Sequence, residues 1–172
     1  GLDQLPNFGP GIRVNQVLEQ TDSHQTLLIS AIDDLRLGTR SLRLGSTALT
    51  DSFTVYRQVD HLKVIPEYGV ARVGGGSTPA VEARFQAVAY SAGADGESGT
   101  SDDLRIGIMP ARWQAKPFDE IAEADRDLDF AGQLDSNNGV FSPATAGPNR
   151  ARKYSTNNAG NLSVEATVED GG

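Results

Sequence analysis

The 172-residue chain contains no cysteine. That absence removes disulfides, thiolate metal sites and the thioether bonds that would attach haem. Aromatic residues make up 6% of the chain, too few to fill cores and also line the aromatic cleft of a carbohydrate-cleaving enzyme. Histidine occurs twice, as His24 and His61, so imidazole chemistry has few places to sit. No stretch approaches the roughly 20 apolar residues of a membrane span. Positive charge is short as well: the net charge of −8 argues against nucleic acid, whose phosphates need a basic face, and against an anionic membrane surface. No signal peptide remains, and the chain opens on Gly1 as a trimmed or mature fragment would. A cysteine-free composition fits a periplasmic protein and many cytosolic ones, so composition leaves the compartment open.

Glycine and proline are plentiful, at 19 and 8 residues, as expected of many short strands joined by turns. After a loop-like start, GLDQLPNFGPG, the residues Ile12, Val14 and Val17 alternate like a strand. His24–Ile32 is a short apolar run that reads as a strand buried on both faces. Gly38–Leu44 alternates, and Phe53–Tyr56 closes the set. Strands at about ten-residue spacing follow the rhythm of a sandwich.

A second set comprises Leu62–Ile65, Val70–Val73, Val81–Tyr90, Leu104–Ile108, Ala111–Ala115, Val140–Pro143 and Leu162–Val168. Val81, Ala83, Phe85, Ala87 and Ala89 would share one face of their strand. Phe118–Asp129 is the one helical candidate; its aspartates reduce it to an acidic connection with one helical turn. The predicted fold is all-β, with two immunoglobulin-like antiparallel β-sandwich domains over residues 1–58 and 59–172. The first domain holds about four strands where about seven are usual. It is either incomplete, with an edge for an upstream segment, another subunit or a second copy to fill, or a small self-sufficient sheet.

The motifs that could carry chemistry have plainer readings beside them. Gly74-Gly75-Gly76 lacks the Lys-Ser/Thr and the following helix of a phosphate loop, which leaves a hairpin connection. Asp22-Ser23-His24 names the residue types of a triad, but adjacent residues cannot take its geometry. His61 reads as a partly exposed strand residue with its ring over a neighbouring side chain. Asp119/Glu120 and Asp125/Asp127 read as a solvated acidic loop. The loop Gly93–Asp103 is the most suggestive. Asp95, Asp102 and Asp103 offer hard oxygens suited to calcium, although the spacing is not that of an EF-hand. The alternative is a polar hairpin whose aspartates accept backbone N–H groups. Trp113 reads as the centre of a sandwich core.

The run VYRQVDHLKV, followed by PEYGVARVGG, ARFQAVAY, GADGESGTSDDLRIG, the Trp113 strand, GVFSPATAGPN and TNNAGNLSVEATV, resembles the C-terminal part of the quinohemoprotein amine dehydrogenase α subunit. The likeness covers about residues 59–170 and extends more loosely into FGPGIRV and FTVYRQVD. It implies the last two β-sandwich domains of a periplasmic complex that oxidises primary amines. In that family haem c and cysteine tryptophylquinone belong to other segments and to the small subunit. This chain has no C-x-x-C-H motif, so no haem ligand carries over. The resemblance thus implies a non-catalytic, subunit-docking region that carries no redox cofactor and whose partners are other domains and subunits of the complex. The same Trp and G-V-F-S-P pattern is shared loosely with surface immunoglobulin-like repeats, so the alternative is a stand-alone secreted or surface module that binds protein or glycan. An independent hydrolase would need converging polar groups in a cleft, which the sequence does not offer.

The purified chain is expected to be redox-silent, with no Soret band and no amine-dependent dye reduction. Turnover of an amine by the chain alone would overturn this reading.

Overall fold

The computed structural model describes residues 4–33 and 35–169. Twelve strands occur among them: β1 (Ile12–Gln20), β2 (Gln25–Ala31), β3 (Gly38–Leu44), β4 (Thr47–Val55), β5 (His61–Ile65), β6 (Ala83–Arg84), β7 (Gln86–Ser91), β8 (Leu104–Met109), β9 (Arg112–Pro117), β10 (Gly132–Leu134), β11 (Val140–Pro143) and β12 (Leu162–Thr167). Helix is confined to α1 (Glu120–Ala124), α2 (Asp127–Phe130) and one 3-10 turn at Lys153–Ser155. The protein is all-β, with antiparallel pairing of β1 with β2, β3 with β4, β6 with β11, β10 with β11, and β9 with β12. No sheet closes on itself: the strand orders are β1-β2, β3-β4, β5-β7-β8, β10-β11-β6 and β12-β9.

The chain forms two compact units, and they are not consecutive lengths of sequence. The first runs to His61 and also takes Tyr90–Gly107; the second comprises Leu62–Ala89 and the residues from Ile108 onward.

In the first unit, β1 and β2 form a hairpin whose register shifts between Val14 and Gln16 and again between Val17 and Glu19. Those irregularities let Ile12, Val14 and Val17 stay half-buried while their neighbours are exposed. β2 was expected to be buried on both faces. Instead Leu28 and Ile29 are 48% and 43% exposed, because its sheet has two strands and covers one face. The proline- and glycine-rich start is anchored rather than loose. Asn7 bridges Arg43 on β3, the Phe8 ring meets Phe53 edge-on at 5.5 Å, and the Arg40 guanidinium donates to the carbonyl of Pro10 at 2.5 Å. Thr54 on β4 donates to the Arg105 carbonyl at 3.2 Å, which brings the downstream segment into this unit.

The second unit holds the tightest core. Ala87, Val88 and Ala89 are 0%, 1% and 0% exposed. β7 is therefore buried on both faces, whereas alternation had been expected, and Val81 lies at 42% exposure. The expected single strand over Val81–Tyr90 is broken at Phe85, between β6 and β7. Trp113 is 7% exposed on β9, opposite Ala166 of β12, and its N–H donates to the Ser136 carbonyl at 2.9 Å. Gly139 fits against the indole: a Cβ there would lie 2.7 Å from Trp113 Cε2 and 2.8 Å from the Phe85 carbonyl oxygen. With φ at +68°, glycine meets both the backbone and the space requirement. Residues 70–73, expected as a strand, make only an isolated bridge between Arg72 and Val81. β10 was not foreseen at all.

Trp113→Ala should cost about 3–5 kcal/mol as a large buried ring is lost. For a chain of this size that is a fall of roughly 10 °C in Tm by thermal melting. A shift within error would show that the ring does not hold the core.

Candidate functional site

The loop between β7 and β8 lies in the first unit and was the sequence's best metal candidate. Asp102 Oδ2 accepts the N–H groups of Ala94 at 2.7 Å and Asp95 at 3.4 Å, while its Oδ1 accepts the Thr100 hydroxyl at 2.6 Å. Asp103 accepts the Gly99 N–H at 2.7 Å, and Asp95 accepts the Glu97 N–H at 2.9 Å. A Cβ at Gly93 would collide with the Asp102 carboxylate, so glycine there makes room for it. Each of the three aspartates thus accepts at least one backbone N–H of the loop itself. Among the described residues no group of three or more His, Asp or Glu is arranged to hold a metal ion.

Beside this loop the His61 ring stacks on Tyr90, with centroids 4.9 Å apart and planes at 8°, matching the ring-over-side-chain expectation. Its Nε2 lies 3.5 Å from Asp103 Oδ2. Asp60 accepts from Gln58 Nε2 at 2.5 Å, from the Ala92 N–H at 2.7 Å and from the Ser91 hydroxyl at 3.1 Å. Those donors, Gln58 foremost, hold its carboxyl below the ordinary carboxylate value.

The remaining motifs resolve into turns. Gly75 and Thr78 exchange two backbone hydrogen bonds, at 2.9 and 3.0 Å, in a hairpin. In the β1–β2 turn, Thr21 Oγ1 accepts the N–H groups of Ser23 and His24 and lies 2.8 Å from His24 Nδ1. Ser23 meets Thr21 and not the imidazole. Asp119 caps α1 by accepting the Ala122 N–H at 2.8 Å. Asp127 departs from the expected solvated acidic loop. It is buried and paired with Arg152 at 2.5 Å. The sequence signal for that pair was weak, since twenty-five positions separate its members.

The second unit carries a broad concave surface. A groove of about 940 Å³ runs between β5 and the start of β12, lined by Val64, Ile65, Tyr68, Phe85, Phe118, Leu162 and Val164 among others. A further recess of about 460 Å³ shares Gly69, Phe85, Gly160, Leu162 and Val164 with it. Both flanking strands end their sheets, β5 in the order β5-β7-β8 and β12 in the order β12-β9. Tyr68 is 83% exposed, Val70 85% and Phe118 63%. The aromatics are thus not all committed to cores, as the composition had suggested. Gly69 is needed because a Cβ would lie 2.8 Å from Phe85 Cζ. In a polar recess around Glu82, Arg84 and Asp135, Glu82 and Arg84 pair with each other, while Asp135 accepts from Asn137 and Asn138. Glu82 takes Arg84 Nη2 at 2.8 Å and the Ser142 hydroxyl at 3.0 Å. The groove bordered by Tyr68, Phe85 and Phe118, in contrast, is suited to apolar contact.

The model of the family described as quinohemoprotein amine dehydrogenase, alpha subunit domain IV, matches residues 62–172. The chain belongs to that family. No curated protein matches it. The match begins at Leu62, where the second compact unit also begins. The family is that of one subunit of an amine dehydrogenase with several subunits. Among the described residues no helix is long and apolar enough to cross a membrane.

Thr100, followed by the N–H groups of Ala94 and Asp95, holds the Asp102 carboxyl below its ordinary value of 3.8, against desolvation that raises it. A depressed folded pKa gives stability that is present above the unfolded value and lost as pH falls through the folded one. Asp102→Asn should therefore lower Tm near neutral pH and flatten its decline below about pH 4. A deficit of equal size at every pH would show that the charge is not what the loop uses.

Proposed function

We propose that this chain is a non-catalytic docking region of a periplasmic amine dehydrogenase α subunit, holding partner domains or subunits through the apolar groove of its second unit. Haem c and cysteine tryptophylquinone, on this reading, are carried by other domains and by the small subunit, and electrons do not pass through this fold. The observation that carries the proposal is the exposure of Tyr68 and Phe118 around a groove between two sheet-ending strands, with Val70 exposed at the adjoining recess. Large aromatic and aliphatic side chains clustered on a surface mark protein–protein contact. Family membership supplies the partners, since the family is a subunit of a larger enzyme.

Co-expression of the intact protein with the other dehydrogenase subunits tests it. The wild type should co-elute as one complex on size-exclusion chromatography. Tyr68→Asp combined with Phe118→Asp should reduce complex yield by about tenfold or more, as for loss of buried anchor residues, with the variant's own Tm kept within a few degrees. Both side chains are exposed, so the folded core does not need them. A wild type that stays apart, or a double variant that assembles normally, would overturn the proposal.

A further inference from the structure

The turn Asn149–Thr156 in the second unit combines three properties that are rarely found together. Its backbone is strained where it is most exposed. Tyr154 adopts φ 60°, ψ 21° and Ser155 follows at φ 51°, a left-handed pair that glycine or asparagine would take at lower cost. Tyr154 is nevertheless a large aromatic, 87% exposed. A strained conformation persists only when its surroundings over-determine it, and such positions cluster at functional sites.

The surroundings here do over-determine it. The Asn149 N–H donates to the Thr156 carbonyl at 2.8 Å, the Arg152 N–H to Asn149 at 3.0 Å and the Ser155 N–H to Arg152 at 3.0 Å. The Asn149 side chain is tied to Asn158 at 2.9 Å. Arg152 anchors the turn inward through Asp127 at 2.5 Å and lies over the Phe130 ring at 5.5 Å. A rigid turn loses little freedom when a partner covers it.

The third property is charge. In a chain of net charge −8, three of the fifteen basic residues fall at positions 150, 152 and 153. Arg152 is consumed internally, and Arg150 and Lys153 remain exposed on either side of it. Lys153 Nζ lies 5.4 Å from the Tyr154 ring centroid. Tyrosine is enriched among the residues that anchor interfaces, and the electrostatic complement of the two flanking cations is a carboxylate-bearing surface.

We propose that this turn is a second contact surface, on which an acidic segment of a partner subunit covers the Tyr154 ring and pairs with Arg150 and Lys153. The inference rests on the assembly reading above and deepens it by naming a second face and the chemistry of its partner.

The test is the dissociation constant between the intact protein and the remaining subunits of the dehydrogenase, measured by biolayer interferometry at low and high salt. Tyr154→Gly removes the ring and also relieves the backbone. The variant should bind at least about tenfold more weakly, the loss typical of an anchor residue, while its Tm stays level or rises. The double reversal Arg150→Glu with Lys153→Glu should weaken binding and invert its salt dependence, since salt weakens the wild-type attraction and relieves the repulsion in the variant. Wild-type binding that Tyr154→Gly leaves unchanged would overturn this surface and leave the assembly reading standing. A wild type that binds none of the subunits would overturn both. A dimer of the protein that dissolves on Tyr154→Gly would assign the turn to a second copy of this chain and overturn the acidic partner.

Discussion

The ion pair between Asp127 and Arg152 fixes the second unit. Both side chains are buried, at 8% and 6% exposure. They tie together three segments that have no secondary-structure pairing with one another. α2 supplies Asp127, and the turn before the 3-10 helix supplies Arg152. The entry to β12 supplies the Asn161 N–H, which donates to Asp127 Oδ2 at 2.8 Å. Removing one partner of such a pair leaves a buried charge and costs about 3–5 kcal/mol. Gly160 shows how closely the backbone approaches, since a Cβ there would sit 2.6 Å from Asp127 Cγ. With the start of β12 held, its pairing with β9 places Ala166 opposite Trp113. The same arginine holds the turn that carries Tyr154, so core and exposed turn share one anchor.

Part of the chain's acidity is architectural. Asp60, Asp102, Asp103 and Asp119 each accept from donors of nearby loops or helix ends. A recurring local device appears as well: an Asx side chain accepts the N–H two residues on, as in Asn7 to Gly9, Asp95 to Glu97, Asp135 to Asn137, Asn138 to Val140, Asn149 to Ala151 and Asn157 to Ala159. Short strands need many chain reversals, and these side chains satisfy the backbone groups that reversals leave without ladder partners.

Legibility in the sequence followed from how local each signal is. β3 occurs with the bounds that alternation predicts, Gly38–Leu44, because alternation is a property of the strand alone, and β11 occurs where a short strand was expected, Val140–Pro143. Trp113 was expected in the core as the strand tryptophan of a sandwich, and it is buried. Burial depends instead on what lies across, so Leu28 and Ile29 looked internal and are exposed. Residues 70–73 alternate without a partner strand and form only a bridge. β10 is three residues long and begins at Gly132, too short for a period to show. Asp127 looked solvated because its partner is distant in sequence and joins it only through the fold. The membership of residues 90–107 in the first unit is equally non-local.

The distribution of aromatic residues connects the fold to assembly. The described aromatics of the first unit pack at least partly: Phe8 against Phe53, and Tyr90 against His61. The strongly exposed ones, Tyr68, Phe118 and Tyr154, all belong to the second unit, within the residues that match the family. A chain with so few aromatic residues gains little solubility or stability from leaving three of them in water. Their burial against another surface would recover the apolar contribution, of order 25 cal/mol per Å², that folding leaves unused. Tyr154 adds a backbone conformation that disfavours a bulky residue, so stability of the isolated chain does not account for its presence there. Two of the three border the groove and the third stands on a braced turn. On the docking reading proposed above, the second unit would divide its apolar contacts between its own interior and the surface of a partner.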